Sequence, residues 1–314
     1  MAKKYAFGVD IGGTTVKIGL FTNTGKLLSS FEIPTDKTDG GKNILPDTAA
    51  AIKDCLAKNE SSLEEVEGIG MGIPGPVLSD GTINKCINLG WGVFNAVNEM
   101  SDLCDGVKVR CGNDANVAAL GEMWQGGGRG HSNVVMVTLG TGVGGGVIIN
   151  GEIVNGAFGA AGEIGHIKVR DDETDTCGCG KHGCLEQYAS ATGIVRMAKL
   201  YLASHDTKTA LRDADEITSK LIFDLAKTGD QVCVELVDTL GNYLGTSLSY
   251  ISCVVDPEVF VIGGGVSKAG DILLDAIHKY FRENAFHASR GAEFALAQLE
   301  NEAGMYGAVK LVLK

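Results

Sequence analysis

A strand, a turn of glycine and threonine, and a second strand follow one another twice in this 314-residue chain. The first copy is Tyr5-Ala6-Phe7-Gly8-Val9-Asp10-Ile11, then Gly12-Gly13-Thr14-Thr15, then Val16 to Phe21. The second is Val134 to Leu139, then the glycine run from Gly140-Thr141-Gly142 to Gly146, then Val147-Ile148-Ile149. Short apolar runs bounded by glycine read as buried strands. A hairpin turn built from glycine and threonine presents backbone N–H groups and hydroxyls that can face an anion. A single such turn is only a tight hairpin. Two in matching halves point to phosphate and to a chain built on one device used twice.

The elements between them fit helices packed on a mixed sheet. The first half is expected to add a strand at Lys26–Ile33, a helix at Ile44–Lys58, a strand at Val66–Ile73 ending in Pro74-Gly75-Pro76, and a short strand at Val107–Cys111. The second adds helices at Ser190–Leu202, Ile217–Lys227 and Gln231–Val254, a strand at Glu258–Ile262 running into Gly263-Gly264-Gly265, a helix at Ala269–Asn284 and a strand at Phe294–Leu299. In the longest helix Leu236, Leu240, Leu244, Leu248 and Ile251 fall at helical spacing. A boundary near Gly112 divides a small lobe, residues 1–112, from a large one, residues 113–302, with a closing helix at 303–314 packing back on the first. Gly140-x-Gly142-x-x-Gly145 fits the dinucleotide fingerprint, but that fingerprint needs a helix directly after it. A strand and an Asn150-Gly151 hairpin turn follow instead, so a Rossmann fold is excluded.

Charge and cysteine usage exclude other classes. The net charge is −12 with no run of lysine or arginine, which argues against a nucleic-acid partner held through its phosphates. The apolar run from Val134 to Ile149 is too short and too glycine-rich to span a bilayer, so no membrane partner is expected. Nine cysteines is an odd number, and the start of the chain shows no cleavable leader, so free thiols and the cytoplasm are expected. Cys55, Cys86, Cys104, Cys111, Cys233 and Cys253 show no spacing pattern and read as small buried apolar residues.

Two stretches carry chemistry. Glu163-Ile164-Gly165-His166 is followed by Cys177-x-Cys179-x₄-Cys184 and then Glu186. Three thiols and His166 form a complete tetrahedral set for a structural zinc, with His182 a second choice for the imidazole. In Asn113-Asp114-Ala115-Asn116, either of the first two residues can cap the apolar helix that follows. Asp114 could also serve as a general base, its charge favoured by the helix dipole, although the tetrapeptide alone is better read as a cap.

Taken in order, Asp10-Ile11-Gly12-Gly13-Thr14, Gly112 to Asn116, Thr138 to Gly142, Glu163 to His166 and the three cysteines resemble the ROK family of sugar kinases and repressors, most closely its bacterial ATP-dependent glucokinases. Repressor members carry a helix-turn-helix segment ahead of the first strand, for which there is no room here, so the kinase branch is expected. The resemblance implies an α/β actin-like ATPase (ribonuclease H-like) duplicated fold, two lobes around a hinged cleft. It implies phosphorylation of glucose at O6, or of another hexose or N-acetylhexosamine such as N-acetylmannosamine, N-acetylglucosamine or fructose. A non-catalytic sugar sensor is the weaker reading, since Asp114 and both turns are intact. By the same resemblance Asp114 is the base, and Asn113, Glu163, His166 and Glu186, with Gly75 through its backbone, hold the sugar. Asp10 holds Mg²⁺, the turns Gly12-Gly13-Thr14-Thr15 and Thr138 to Gly142 (with Gly140 and Thr141) cradle the phosphates of ATP, and Gly263, Gly264 and Gly265 lie by the adenosine. A homodimer or a dimer of dimers is implied as well.

Overall fold

The computed structural model describes residues 2–313; Met1 and Lys314, the outer ends of the expected lobe ranges, lie outside the described residues. Contacts divide the chain into two units. The first takes the chain up to Ser132, Gly146–Gly162 and everything from Gln298; the second takes Asn133–Gly145 and Glu163–Ala297.

The first unit opens with the meander β1 (Tyr5–Ile11), β2 (Thr15–Thr22) and β3 (Leu27–Pro34). Then come α1 (Ile44–Lys58), β4 (Val66–Ile73), the hairpin β5 (Thr82–Cys86) and β6 (Trp91–Asn95), α2 (Ala96–Leu103), β7 (Val109–Asn113) and α3 (Asp114–Gln125). The main sheet has the order β3-β2-β1-β4-β7. The meander is antiparallel, whereas β1–β4 and β4–β7 are parallel. Central parallel strands are covered on both faces, which is why β1 and β4 are almost wholly apolar or glycine while edge strand β3 alternates with exposed polar residues. Phe7, Val9, Ile18, Ile52, Leu56, Ile69 and Met71 make the centre of this core. The β5–β6 hairpin and α2 have no counterpart in the sequence reading. Ile87 and Val93 are exposed there, so no clean alternation marks the strands.

The second unit opens with β8 (Val134–Leu139), which leads into β9 (Val143–Ile149); from Gly146 on, β9 is counted with the first unit, as is β10 (Glu152–Ile153), which follows at the Asn150-Gly151 turn, where both residues have positive φ. The helices are α4 (Glu186–Ala189), α5 (Ala191–Ser204), α6 (Ser219–Lys227) and α7 (Gln231–Val255); β11 (Val259–Gly263), α8 (Asp271–Asn284) and β12 (Glu293–Leu296) complete it. The sheet order is β10-β9-β8-β11-β12, with β8, β11 and β12 parallel. The strand after the second glycine turn starts at Val143, four residues earlier than the sequence predicts. Gly144 and Gly146 are strand residues chosen for close contact. A Cβ on the former would lie 2.6 Å from Thr138 Oγ1, and one on the latter 2.5 Å from Ala119 Cβ. Cys253 is exposed and Cys111 half-buried, against the expectation of buried thiols. The former sits nearly opposite Ile251 on α7 and so faces away from the apolar stripe.

The closing helix α9 (Ala303–Lys310) belongs to the first unit, where it packs on β1, β4 and α3. Glycines permit the approach. A Cβ on Gly70 would stand 1.7 Å from Ala308 O, and one on Gly8 2.1 Å from Met305 O. Gly307 meets α3 in the same way, 1.7 Å from Val117 O. This packing keeps α3 with the first unit, so the contacts divide the chain after Ser132 and not near Gly112. Among the described residues no helix is long and apolar enough to cross a membrane.

Glu122, fully buried near the end of α3, accepts N–H bonds from Gly127 at 2.8 Å, Leu299 at 2.8 Å and Gln298 at 3.0 Å. It therefore fixes the point where the chain re-enters the first unit. Glu122→Ala removes a buried carboxylate and the acceptor of these part-buried donors, and is expected to cost on the order of 3 kcal/mol, lowering Tm by several degrees in calorimetry. An unchanged Tm would show that the donors find other partners.

Candidate active site

In the first unit, sheet register brings the expected residues to the carboxyl ends of the parallel strands, where open α/β sheets bind ligands. Asp10 on β1 pairs with Gly72 on β4, Gly72 with Gly112 on β7, and Ile73 with Asn113. Asn113 is the N-cap of α3: its Oδ1 accepts the Asn116 N–H at 3.1 Å. Its amide nitrogen donates to Gly75 O at 3.1 Å and to Asp114 Oδ1 at 3.0 Å. The Ala115 N–H donates to that same Oδ1 at 2.9 Å. Cap and carboxylate are thus separate residues. Asn113 closes the helix, and Asp114, the first helical residue, is held at Oδ1 by these two bonds.

Burial, with the nearby charge of Asp114, pushes Asp10 up to about 6, against the opposing pull of Lys17. The first turn of α9 adds to the crowding, since a Cβ on Gly304 would stand 2.5 Å from the Asp10 carboxyl carbon. Two acidic oxygen groups in one low-dielectric spot form a donor set suited to a hard divalent cation. The neighbouring turn is closed by Gly12 N–H donating to Thr15 O at 2.9 Å and by the Thr35 hydroxyl donating to Gly12 O at 2.7 Å. Nothing lies within 4 Å of the place a Cβ on Gly13 would take.

The second unit gathers the remaining candidates. The turn after β8 is closed by Gly140 N–H donating to Gly142 O at 3.0 Å. The start of α5 grips it, with Ala191 N–H donating to Gly140 O at 2.8 Å and the Thr192 hydroxyl to Thr141 O at 2.6 Å. Glu186 lies against this turn, its Oε2 within 2.5 Å of where a Cβ on Gly142 would be. Its other oxygen is 2.8 Å from Cys177 Sγ and 3.7 Å from His166 Nδ1. Glu163 is exposed and opens the short helical turn Ile164–His166. That turn rests on β9, for a Cβ on Gly165 would stand 2.1 Å from Val143 O. Gly263 ends β11, and Gly264, at φ 83°, passes so close to β8 that a Cβ would meet Leu139 O at 2.5 Å.

The structure brings His166, Cys177, Cys179 and Cys184 together, with all their ligand atoms within 4.8 Å of one another. Sulfurs about 2.3 Å from a tetrahedral zinc stand about 3.8 Å apart. Cys179 and Cys184 are 3.6 Å apart, and Cys177 Sγ is 3.8 Å from His166 Nδ1. The hairpin that presents them is pinned by the Cys177 N–H donating to Lys181 O at 2.7 Å and by bridges pairing Thr176 with His182 and Lys168 with Cys184. His182, the second choice for the imidazole, turns instead to Asp175 O at 3.2 Å. Sequence reasoning missed Thr192 and Arg196, which reach this region through the packing of α5 and carry no signature spacing.

The profile of the ROK family matches residues 6–314. A glucokinase from Halalkalibacterium halodurans is 42% identical over 317 residues, covering 99% of this chain and 96% of its own. Among solved structures, a ROK family glucokinase from Streptomyces griseus in complex with glucose and AMPPNP is similar at a TM-score of 0.72 and 36% identity, covering 98% of each chain. A ROK hexokinase from Thermus thermophilus is similar at a TM-score of 0.79 and 30% identity, covering 98% of this chain and 97% of its own.

Proposed function

The chain belongs to the ROK family, and from that premise we propose that it is an ATP-dependent glucokinase transferring the γ-phosphoryl group of ATP to O6 of glucose. The full-length likeness to glucokinases carries this reading. The actin-like ATPase fold of its ROK neighbours goes with it.

In this mechanism Asp114 takes the proton of the glucose 6-hydroxyl as O6 attacks the γ-phosphorus; the bond to the bridging oxygen breaks and ADP leaves. It stands first in α3, directly after the cap Asn113. Asn113, Glu163, His166 and Glu186, with the Gly75 backbone, hold the sugar hydroxyls. A sugar needs several converging polar partners, and such a site rejects a molecule that leaves them unpaired. The Gly12–Thr15 and Thr138–Gly142 turns take the phosphates, and Gly263–Gly265 lie beside the adenosine. Phosphoryl transfer asks mainly for positioning and charge neutralisation, and these parts supply both.

Asp10 is assigned to Mg²⁺, whose charge when bound offsets that of the β- and γ-phosphates. His166, Cys177, Cys179 and Cys184 are assigned to zinc; these four side chains would hold it, and when bound it would brace the loop that carries them. The assembly is taken as a homodimer or dimer of dimers, and the site of action as the cytoplasm, where free thiols persist.

The direct test is turnover with ATP on a panel of glucose, fructose, mannose, N-acetylglucosamine and N-acetylmannosamine. Glucose should give the highest kcat/KM; a clear preference for an N-acetylated sugar would overturn the assignment. Asp10 offers an independent check on stability. With its carboxyl raised from 3.8 to about 6 in the fold, its contribution to stability falls as pH rises from about 4 through 6. In chelator at pH 7.5, Asp10→Asn should therefore raise Tm by about 2–4 °C while activity with Mg²⁺ collapses. The Tm difference should close near pH 4. A lower Tm at pH 7.5 would show that the charge is not a strained one.

A further inference from the structure

Helix α5 touches both the phosphate turn and the zinc hairpin, and Arg196 is what fastens it to the hairpin. At its start Ala191 and Thr192 bond to the carbonyls of Gly140 and Thr141. Gly193 lies so close to the chain bearing Glu186 that a Cβ there would meet Glu186 O at 2.9 Å. One turn on, the Arg196 guanidinium bonds to Glu173 Oε2 at 2.6 Å and to Asp175 Oδ2 at 2.8 Å, both on the segment entering Cys177. It also donates to Gln187 O at 3.4 Å, just after Glu186. Gln187 in turn ties the hairpin, donating to Asp175 O at 2.9 Å and accepting the Cys184 N–H at 3.0 Å. The planar fork of arginine can reach three groups at once, which a lysine cannot reproduce.

This network is not an ordinary surface pair. The Glu173 side chain is only 7% exposed and also accepts the Tyr188 hydroxyl and, at 2.9 Å, the Asp175 N–H. Burial alone would push its carboxyl up, but these donors and Arg196 hold it down at about 2. The Arg196 guanidinium also lies 5.7 Å from the centre of the Tyr188 ring. A cleft of about 530 Å³ runs along this framework, lined by Thr141, Gly142, Cys177, Glu186, Thr192 and Arg196.

We propose that Arg196 is a positioning residue that links the sugar-holding clip of His166 and Glu186 to the phosphate turn through α5, so that glucose and nucleotide strengthen each other's binding. The proposal rests on the glucokinase reading. Occupying the clip orders Glu186 and the hairpin; Arg196 passes that order to α5, whose first turn holds Gly140 and Thr141 in place for a phosphate. Such coupling is reciprocal, so either ligand should raise affinity for the other by the same factor.

The test is calorimetric titration of glucose with and without AMPPNP, for the wild type, Arg196→Met and Arg196→Lys, with zinc content and steady-state kinetics measured alongside. The wild type should bind glucose at least about fivefold more tightly with AMPPNP present. Arg196→Met should lose most of that factor and show a KM for ATP raised about tenfold, with one zinc per chain retained. The lysine variant should recover only part, because it keeps the charge and loses the fork. Wild-type coupling in Arg196→Met overturns the proposal, as does a wild type that phosphorylates glucose with no coupling. A wild type that does not phosphorylate glucose instead overturns the glucokinase reading. If Arg196→Met loses zinc, Asp175→Asn replaces it, removing one partner at a side chain that is 62% exposed. Loss of coupling with zinc retained then supports the proposal, and unaltered coupling overturns it.

Discussion

Asp114→Asn is expected to lower kcat by roughly 10²–10⁴-fold while glucose affinity, measured by calorimetry, stays within a few-fold of the wild type. The geometry makes this substitution clean. Asp114 Oδ1 accepts from the Ala115 N–H and from the Asn113 amide, so an asparagine carbonyl can take the same two bonds in the same place. Asn113, which caps α3, is untouched, so the helix start should hold. What disappears is the ability to accept a proton from O6. The neutral amide also removes one of the causes that raise Asp10, whose carboxyl should titrate lower in the variant. Near-normal turnover would mean that another group or solvent takes the proton, and Asp114 would revert to a structural residue at the head of α3.

The second large effect concerns the thiols. Cys179→Ser is expected to drop zinc from one per chain to well below that in metal analysis, and to raise KM for glucose on the order of 10–100-fold. The fall in kcat at saturating glucose should be smaller. Cys179 is the exposed member of the group, so serine costs little in packing and acts through the metal. The reason for a binding effect is proximity. Glu186 lies 2.8 Å from Cys177 Sγ and 3.7 Å from His166 Nδ1, so two assigned sugar ligands are set by the cluster. The hairpin between His166 and Cys184 has little core of its own, so metal binding there would contribute to its folding free energy. Zinc loss should also speed proteolysis within residues 167–184. Full zinc retention, or a collapse of kcat with KM unchanged, would refute the assignment of the cluster as a brace for the sugar ligands.

Much of the site was legible because its parts are local. The Gly12–Thr15 and Gly140–Gly142 turns are set by the residues that form them, and the thiol spacing by the small loop that carries it. Periodicity placed α1, α7 and the strand β4 well for the same reason. The α3 boundary shows where this fails. Nothing around Gly112 reveals that a helix almost two hundred residues later will lie on α3. That contact depends on Gly121 and Gly307 letting two backbones meet, which becomes visible only once α9 is in place. The second glycine turn is likewise shorter than its run of glycines suggests, because Gly144 and Gly146 are small for the sake of Thr138 and Ala119 and not for a turn.

The sequence by itself determined the duplicated strand–turn–strand device, the four candidate metal-ligating side chains and the family, since each is written in short runs of residues or in their order. Only the tertiary structure decided which candidate does what to its neighbours. It separated Asn113 as cap from Asp114 as carboxylate, set Asp10 in a buried spot beside Asp114, and turned His182 away from the thiols. It also placed Glu186 between the Gly140–Gly142 turn and the cysteine cluster and brought in Arg196. Those facts rest on desolvation and on contacts between distant segments. Both depend on the packed chain and have no image in the spacing of residues along it.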